Sequence, residues 1–262
     1  MELEVRNISG GYGGKKVVED VSFRVPSGTI TTLVGANGSG KSTLLRLIAG
    51  ILRPFSGEAC LDGRAISAIP RRELARLMGM LPQLHHAADE LTVAELVAMG
   101  RFPHRQGWSP FASAADKRAV GQALELTRME ALRGRALASL SGGERQRAWL
   151  AMTLAREPKV LLLDEPTTFL DIGSQCDFLG LVRKLNRDSQ LTVLMVLHDL
   201  NVASAFSSQL VMLKDGRVLC TGTPVETLTT DNLQSVFGVK SQILRTPGGT
   251  PYCLFTDGAK MR

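Results

Sequence analysis

Between a strand pattern and a helix pattern the chain carries Gly35-Ala36-Asn37-Gly38-Ser39-Gly40-Lys41-Ser42-Thr43, which fits G-x-x-x-x-G-K-[ST]. The run before it, Thr29-Ile30-Thr31-Thr32-Leu33-Val34, is β-branched and apolar and predicts a buried strand. The run after it, Leu44-Leu45-Arg46-Leu47-Ile48-Ala49, is apolar at helical spacing. A strand, a glycine-rich loop and a helix N-terminus in this order are the context in which the motif wraps phosphate. Gly35, Gly38 and Gly40 let backbone N–H groups turn inward around an anion, and the helix end adds its positive partial charge. Lys41 can reach the β- and γ-phosphates of a nucleotide, and the Ser42 hydroxyl can ligate Mg²⁺. The bland alternative is a glycine-rich turn that merely starts a helix; the flanking strand, Lys41 and Ser42 together speak against it.

A pair of acids ends another apolar run. Lys159-Val160-Leu161-Leu162-Leu163-Asp164-Glu165-Pro166 predicts a central strand of a parallel sheet, buried on both faces. Ligands in such sheets bind beyond the carboxyl ends of the strands. Asp164 is placed there to hold Mg²⁺, and Glu165, one residue further out, to polarise an attacking water. Two charges at a solvated strand end occur in many α/β chains. After a phosphate loop they become the second half of a metal site.

Ser141-Gly142-Gly143-Glu144 reads first as a capping box, with Ser141 at the N-cap and Glu144 three residues on. A cap requires neither glycine, and in a helical turn each costs up to about 1 kcal/mol against Ala. Something is therefore expected to approach that backbone closely, and a helix N-terminus favours an anion. The segment resembles the signature of the ATP-binding-cassette family, whose members hold ATP between the P-loop of one subunit and the signature of another. Other segments match in family order. Tyr12, within Gly10-Gly11-Tyr12-Gly13-Gly14, matches the aromatic that stacks on adenine. Gln83, after Leu81-Pro82, matches the glutamine that touches Mg²⁺ and senses the partner. Asp171 matches the loop that crosses the dimer interface, and His198, after Leu191–Leu197, the histidine that contacts the γ-phosphate.

The resemblance implies an α/β fold: a P-loop NTPase core with a mainly parallel sheet, an N-terminal antiparallel β-lobe and an inserted helical lobe. It implies ATP and Mg²⁺ as cofactors, with Asn37, Gly38, Ser39, Gly40, Lys41, Ser42 and Thr43 on the nucleotide and Ser42, Gln83 and Asp164 on the metal. Lys41, Glu165 and His198 would be catalytic, Glu165 as base or as orienter of water. Ser141, Gly142 and Gly143 would meet the ATP of a second copy in a head-to-tail dimer.

Composition narrows the setting. With 44% apolar residues in 262, the chain can bury a substantial core and reads as a single nucleotide-binding domain over 1–262. Cys60, Cys176, Cys220 and Cys253 are far apart, without metal-type spacing, and read as reduced thiols of a cytosolic protein. The chain opens on a strand pattern, Leu3-Glu4-Val5-Arg6-Asn7-Ile8, rather than a signal peptide. No apolar stretch approaches the length of a spanning helix. The net charge of +6 suits a polyanion or an anionic membrane surface as well as a solvated face.

Along the chain, residues 1–33 alternate, with turns at Gly10–Gly14 and Pro26-Ser27-Gly28, and predict the β-lobe; Gly57–Gly63 adds a strand and a turn. After Gln83 the β-type runs stop. Thr92-Val93-Ala94-Glu95 is a capping box before Leu96, Val97 and Met99. Further helical patterns, over about 115–129 and from Ser141 to before Pro158, make residues 84–157 a helical lobe. Lys214-Asp215-Gly216-Arg217 signals a hairpin. Thr230 is expected to cap a short helix ending at Gly238. Residues 239–262 form a weakly patterned C-terminal extension with a turn at Pro247-Gly248-Gly249.

A nucleotide-driven chain without a membrane span needs a partner. Arg101-Phe102-Pro103-His104, followed by Trp108 and Phe111, mixes aromatic and basic residues in the manner of interface anchors. It predicts a groove for a short helix of a membrane subunit; the alternative is a loop that buries its own Phe102. The segments Leu91–Val97 with Gly100–His104, Ser141–Trp149 and Leu197–Asn201 resemble the ATPases of bacterial iron–siderophore importers, whose close relatives carry haem and vitamin B12. Phe169 departs from the His or Ala more usual before Leu-Asp. The resemblance implies two copies of the chain on two transmembrane permease subunits, peripheral to the cytoplasmic face of the inner membrane and fed by a substrate-binding protein. The alternative cargoes are haem or vitamin B12. A soluble ATPase of iron–sulfur cluster assembly is another alternative, opposed by the Arg101–His104 loop. Repair ATPases of the family carry coiled-coil or zinc insertions; this chain has no heptad run and no C-x-x-C, so no nucleic-acid partner is expected. Glu165 and His198 argue against a module that uses ATP only to dimerise.

Overall fold

The computed structural model describes residues 1–83, 90–105 and 113–256, so Trp108 and Phe111 lie outside the described residues. The chain divides into two compact units, one of Met1–Ala68 with Thr192–Arg262, the other of Ile69–Leu191.

The first unit opens with β1 (Leu3–Tyr12) and β2 (Lys15–Val25), an antiparallel hairpin. In β2 the alternation buries Val21, Phe23 and Val25 and exposes Ser22 and Arg24, the period of a half-buried strand. β3 (Ile30–Gly35) is buried throughout and runs into α1 (Lys41–Ile48), which buries Leu44, Leu45, Leu47 and Ile48. β4 (Ser56–Leu61) and β5 (Arg64–Ala65) complete an antiparallel sheet of order β2-β1-β4-β5, the expected β-lobe.

The second unit holds α2 (Arg71–Leu77), β6 (Met78–Leu81), α3 (Val93–Met99), α4 (Ala114–Leu126), α5 (Gly142–Leu154), β7 (Val160–Asp164) and α6 (Ile172–Ser189). β6 and β7 are parallel, with Leu81 opposite Leu163. Between them α3, α4 and α5 pack on one another through Val93, Leu96, Val97, Ala119, Ala123, Leu124, Ala148, Leu150 and Ala151. Each of these helices starts at a capping box: Thr92 with Glu95, Ser113 with Asp116, Ser141 with Glu144. Reciprocal bonds satisfy backbone N–H groups that a helix start would otherwise leave unpaired.

The chain then returns to the first unit with β8 (Thr192–Val196), α7 (Leu200–Phe206), β9 (Gln209–Lys214), β10 (Arg217–Gly222), α8 (Pro224–Thr227), α9 (Thr230–Phe237), β11 (Lys240–Arg245) and β12 (Pro251–Thr256). β3 lies between β8 and β9 and is parallel to both, Leu33 facing Val196 on one side and Val211 on the other. β10 turns back antiparallel on β9 through Asp215 (φ 49°) and Gly216 (φ 77°), the left-handed pair a tight hairpin needs. α9 is capped by Thr229, not Thr230: the Thr229 hydroxyl accepts the Asn232 N–H at 3.2 Å. Beyond Gly238 the weak pattern is an antiparallel hairpin of β11 and β12. Among the described residues no helix is long and apolar enough to cross a membrane.

Candidate functional site

The first unit brings two functional strand ends side by side. β3 delivers the loop Gly35–Thr43, and its parallel neighbour β8 delivers His198, one residue after Leu197, whose N–H donates to the Leu33 carbonyl. The loop needs left-handed backbone at Gly38 (φ 78°) and Gly40 (φ 95°). Gly40 is also the N-cap of α1 and offers no side-chain acceptor to the first turn. Lys41 is buried, and its Nζ donates to the carbonyls of Gly35 (2.8 Å) and Ala36 (2.9 Å), so the ammonium is already held over the loop. Ser39 Oγ is buried and has no hydrogen-bond partner among the described residues, as expected of a donor kept for an anion. Asn37 is exposed; Ser42 and Thr43 are half-buried. Tyr12 is exposed, with its hydroxyl accepting from Arg46 Nη1 at 3.0 Å. His198 is exposed, and Asp199 beside it caps α7 by accepting from the N–H groups of Asn201 and Val202.

The second unit brings together the acids. Asp164 closes β7 fully buried, and Glu165 follows in a left-handed conformation (φ 51°). A non-glycine residue held there costs about 1 kcal/mol or more, a cost that sites retain when it aims a side chain. Gln83, two residues past the end of β6, donates Nε2 to Glu165 Oε2 at 2.7 Å, and Thr168 Oγ1 donates to the same oxygen at 3.3 Å. Gln83, the residue expected on Mg²⁺, here donates to the carboxylate expected to act on water. Thr168 was not singled out from the sequence; its place three residues after Glu165 in a turn was the only signal.

The Ser141 helix end has the predicted box: Ser141 N–H and Oγ donate to Glu144 Oε2 at 2.8 and 2.9 Å. Those bonds hold the Glu144 carboxyl below its ordinary range. Ser141 and Gly142 are exposed. A Cβ on Gly143 would stand 3.1 Å from Ser174 Oγ and 3.3 Å from Ser174 Cβ, so packing on α6 itself explains this glycine. A Cβ on Gly142 would meet Leu170 Cδ2 at an ordinary 3.7 Å, and the described residues give no internal reason for this glycine. Asp171 caps α6, accepting the Ser174 N–H (3.0 Å) and hydroxyl (2.6 Å), bonds that lower its pKa. Around it Phe169 is 89% and Ile172 82% exposed.

The loop predicted to meet a membrane partner divides. Phe102 is 76% exposed and fits that expectation. Arg101 and Pro103 do not, because both are buried. Arg101 is 4% exposed and pairs with Asp116 (2.9 Å) and Glu157 (2.6 Å). The Pro103 carbonyl accepts from Arg72 and Arg76 Nε at 2.9 and 2.8 Å. His104 is half-buried, with Nε2 on the Arg156 carbonyl at 2.9 Å. The Arg101 and His104 side chains and the Pro103 carbonyl brace the turn that presents Phe102.

Ser42 and Asp164 offer the hard oxygen donors that suit Mg²⁺. Among the described residues no group of three or more His, Cys, Asp or Glu gathers.

A glycine loop between strand and helix, with acids and a histidine at the carboxyl ends of parallel strands, defines the class of P-loop nucleoside triphosphatases. The family model for ABC transporters matches residues 18–168. The chain is 43% identical over 256 residues to the iron(3+)-hydroxamate import ATP-binding protein of Bacillus subtilis (strain 168), covering 97% of this chain and 95% of that one. It is 41% identical over 250 residues to the ferric enterobactin transport ATP-binding protein of Escherichia coli (strain K12), covering 95% and 92%. Among solved structures it is similar to a transporter assigned to the metal-chelate type, caught inward-facing: TM-score 0.82, 29% identity, 97% of this chain and 96% of that one. The chain belongs to the ABC transporter family as an ATP-binding subunit, an ATPase coupled to transport.

Proposed function

We propose that the chain hydrolyses ATP to drive uptake of ferric siderophores, working as a head-to-tail dimer beneath two permease subunits on the cytoplasmic face of the cell membrane. A substrate-binding protein would feed the permease. The observation that carries the hydrolytic part is Glu165, held by Gln83 and Thr168 at the end of a buried strand and aimed by a left-handed backbone. The cargo reading rests on the iron-chelate relatives, one named for hydroxamate and one for enterobactin.

In this reading Lys41 and the α1 N-terminus hold the phosphates, and Tyr12 stacks on the base. Ser42 and Asp164 would hold Mg²⁺, which supplies charge neutralisation at the phosphates. Glu165 accepts a hydrogen bond from the attacking water and orients it, and His198 fixes the γ-phosphate. Ser141 and Gly142 approach the ATP of the other copy. Hydrolysis of this kind is mostly positioning and electrostatics. The test is Glu165→Gln. It should bind ATP with unchanged affinity, hydrolyse it at least ~100-fold more slowly, and elute as an ATP-dependent dimer. Wild-type hydrolysis by this variant would refute the assignment. Iron-limited growth of a deletion strain on single ferric chelates would then test the cargo.

A further inference from the structure

We propose that the C-terminal hairpin is a positioning clamp for His198, with Asn201 as its principal residue. The idea rests on the reading of His198 as the γ-phosphate contact and extends it to a part of the chain the site does not otherwise use.

Among the described residues β12 pairs with one strand, β11, on one edge, with Cys253 opposite Ile243. Its other edge is completed by α7. Asn201 Oδ1 accepts the Cys253 N–H at 2.7 Å, and Asn201 Nδ2 donates to the Cys253 carbonyl at 3.2 Å. One side-chain amide thus acts as the next strand of the sheet. Two residues earlier on the same edge, Pro251 has no N–H, and its carbonyl accepts from Ser204 Oγ at 2.8 Å. Asn201 and Ser204 are three apart, on one face of a helix. An edge covered in this way is fixed in register and cannot slide. Both atoms of the Asn201 amide are used, which ties its rotamer as well as its position.

α7 begins directly after His198 and Asp199. Its N-terminus is held by the Asp199 cap and its face by β12. His198 therefore sits on a backbone fixed from three directions, by β8, the cap and the hairpin. The hairpin also reaches the histidine's surroundings. His198, Asp199, Leu200 and Asn201 line a cleft of about 380 Å³ with Phe237, Val239 and Phe255, the last on β12. Misplacing a group at a reacting phosphate by about 1 Å can cost ~100-fold in rate.

The test is steady-state ATPase of the full chain with nucleotide-binding stoichiometry measured alongside. Asn201→Ala should lower kcat ~10-fold or more. KM for ATP should stay within about twofold and the stoichiometry near one nucleotide per chain, so that loss of folded protein is not the cause. The His198 imidazole resonances should shift. Asn201→Asp keeps the acceptor for Cys253 N–H and regains a donor only when protonated. From pH 6 to 8 an aspartate of ordinary pKa stays ionised and faces the Cys253 carbonyl without a proton to donate, so the kcat of this variant should fall about as far as that of Asn201→Ala. His198→Ala serves as the control. If it is inactive while Asn201→Ala keeps wild-type kcat, the clamp is wrong and the role of His198 stands. If His198→Ala hydrolyses at the wild-type rate, the reading of His198 fails and the clamp with it.

Discussion

Replacing Asp116 with Asn should destabilise the protein by about 2 kcal/mol at neutral pH. Asp116 and Arg101 are 6% and 4% exposed. Arg101 Nε donates to Asp116 Oδ1 at 2.9 Å, and Arg101 Nη1 donates to the Ala155 carbonyl and to Glu157 Oε2, both at 2.6 Å. The Arg101 bond, then that of Ser113, brings the Asp116 carboxyl from 3.8 down to about 2. A drop of almost two units corresponds to about 2 kcal/mol of preference for the ionised form in the folded state. Because the folded pKa is the lower one, this stability is present in full above the unfolded value near 4. It drains away as pH falls through about 2. Glu157, with its side chain 59% exposed, adds little. Arg101→Ala should be worse, about 3–5 kcal/mol, since it strands Asp116 among buried groups. Urea unfolding at pH 7, 5 and 3 measures all of this. The wild type should lose more stability than Asp116→Asn between pH 5 and 3. Equal stability of the two at pH 7, or parallel pH profiles, would refute the pair as a stabilising element.

Lys41→Ala should lower ATP affinity at least ~10-fold, the loss of one charge-assisted contact; calorimetry that finds affinity within twofold of wild type removes Lys41 from the phosphates. Phe102→Asp should leave the thermal midpoint unchanged, because the ring is 76% exposed, yet abolish co-purification with the permease. Retained co-purification would take this turn out of the interface.

What could be read from the sequence was local. The phosphate loop, the boxes at Thr92 and Ser141, and the turn at Asp215-Gly216 are each fixed by a few adjacent residues, and each formed where the pattern placed it. What could not be read were partnerships across long separations. Arg101 looked like a surface anchor because Asp116 and Glu157 lie on other elements, 15 and 56 residues away. Gln83 meets Glu165 across 82 residues, and only the parallel register of β6 and β7 brings them together. The β11–β12 hairpin was invisible because Leu244, Tyr252 and Leu254 stay exposed, which blurs the alternation a buried face would give.

The two glycines of the Ser141 helix end can now be separated. In the sequence the two are alike, residues a cap does not need. Gly143 has an internal reason, the close approach of Ser174, which Asp171 also holds. Gly143→Ala would press on that contact, and a loss of activity could come from the fold. Gly142 has room for a Cβ, with Leu170 at an ordinary 3.7 Å, and its backbone is outside the left-handed region. Gly142→Ala should therefore keep the fold and raise its stability by up to about 1 kcal/mol, as alanine does in a helical turn. If the partner's γ-phosphate approaches this backbone, the added methyl blocks it. ATP binding to one chain should then persist, while ATP-dependent dimerisation and hydrolysis fall at least ~10-fold. Light scattering with ATP, run beside a thermal melt, reads both halves. A stable Gly142→Ala protein that dimerises and hydrolyses like wild type would mean that nothing outside the chain needs this glycine, and the shared-nucleotide reading would lose its most specific support.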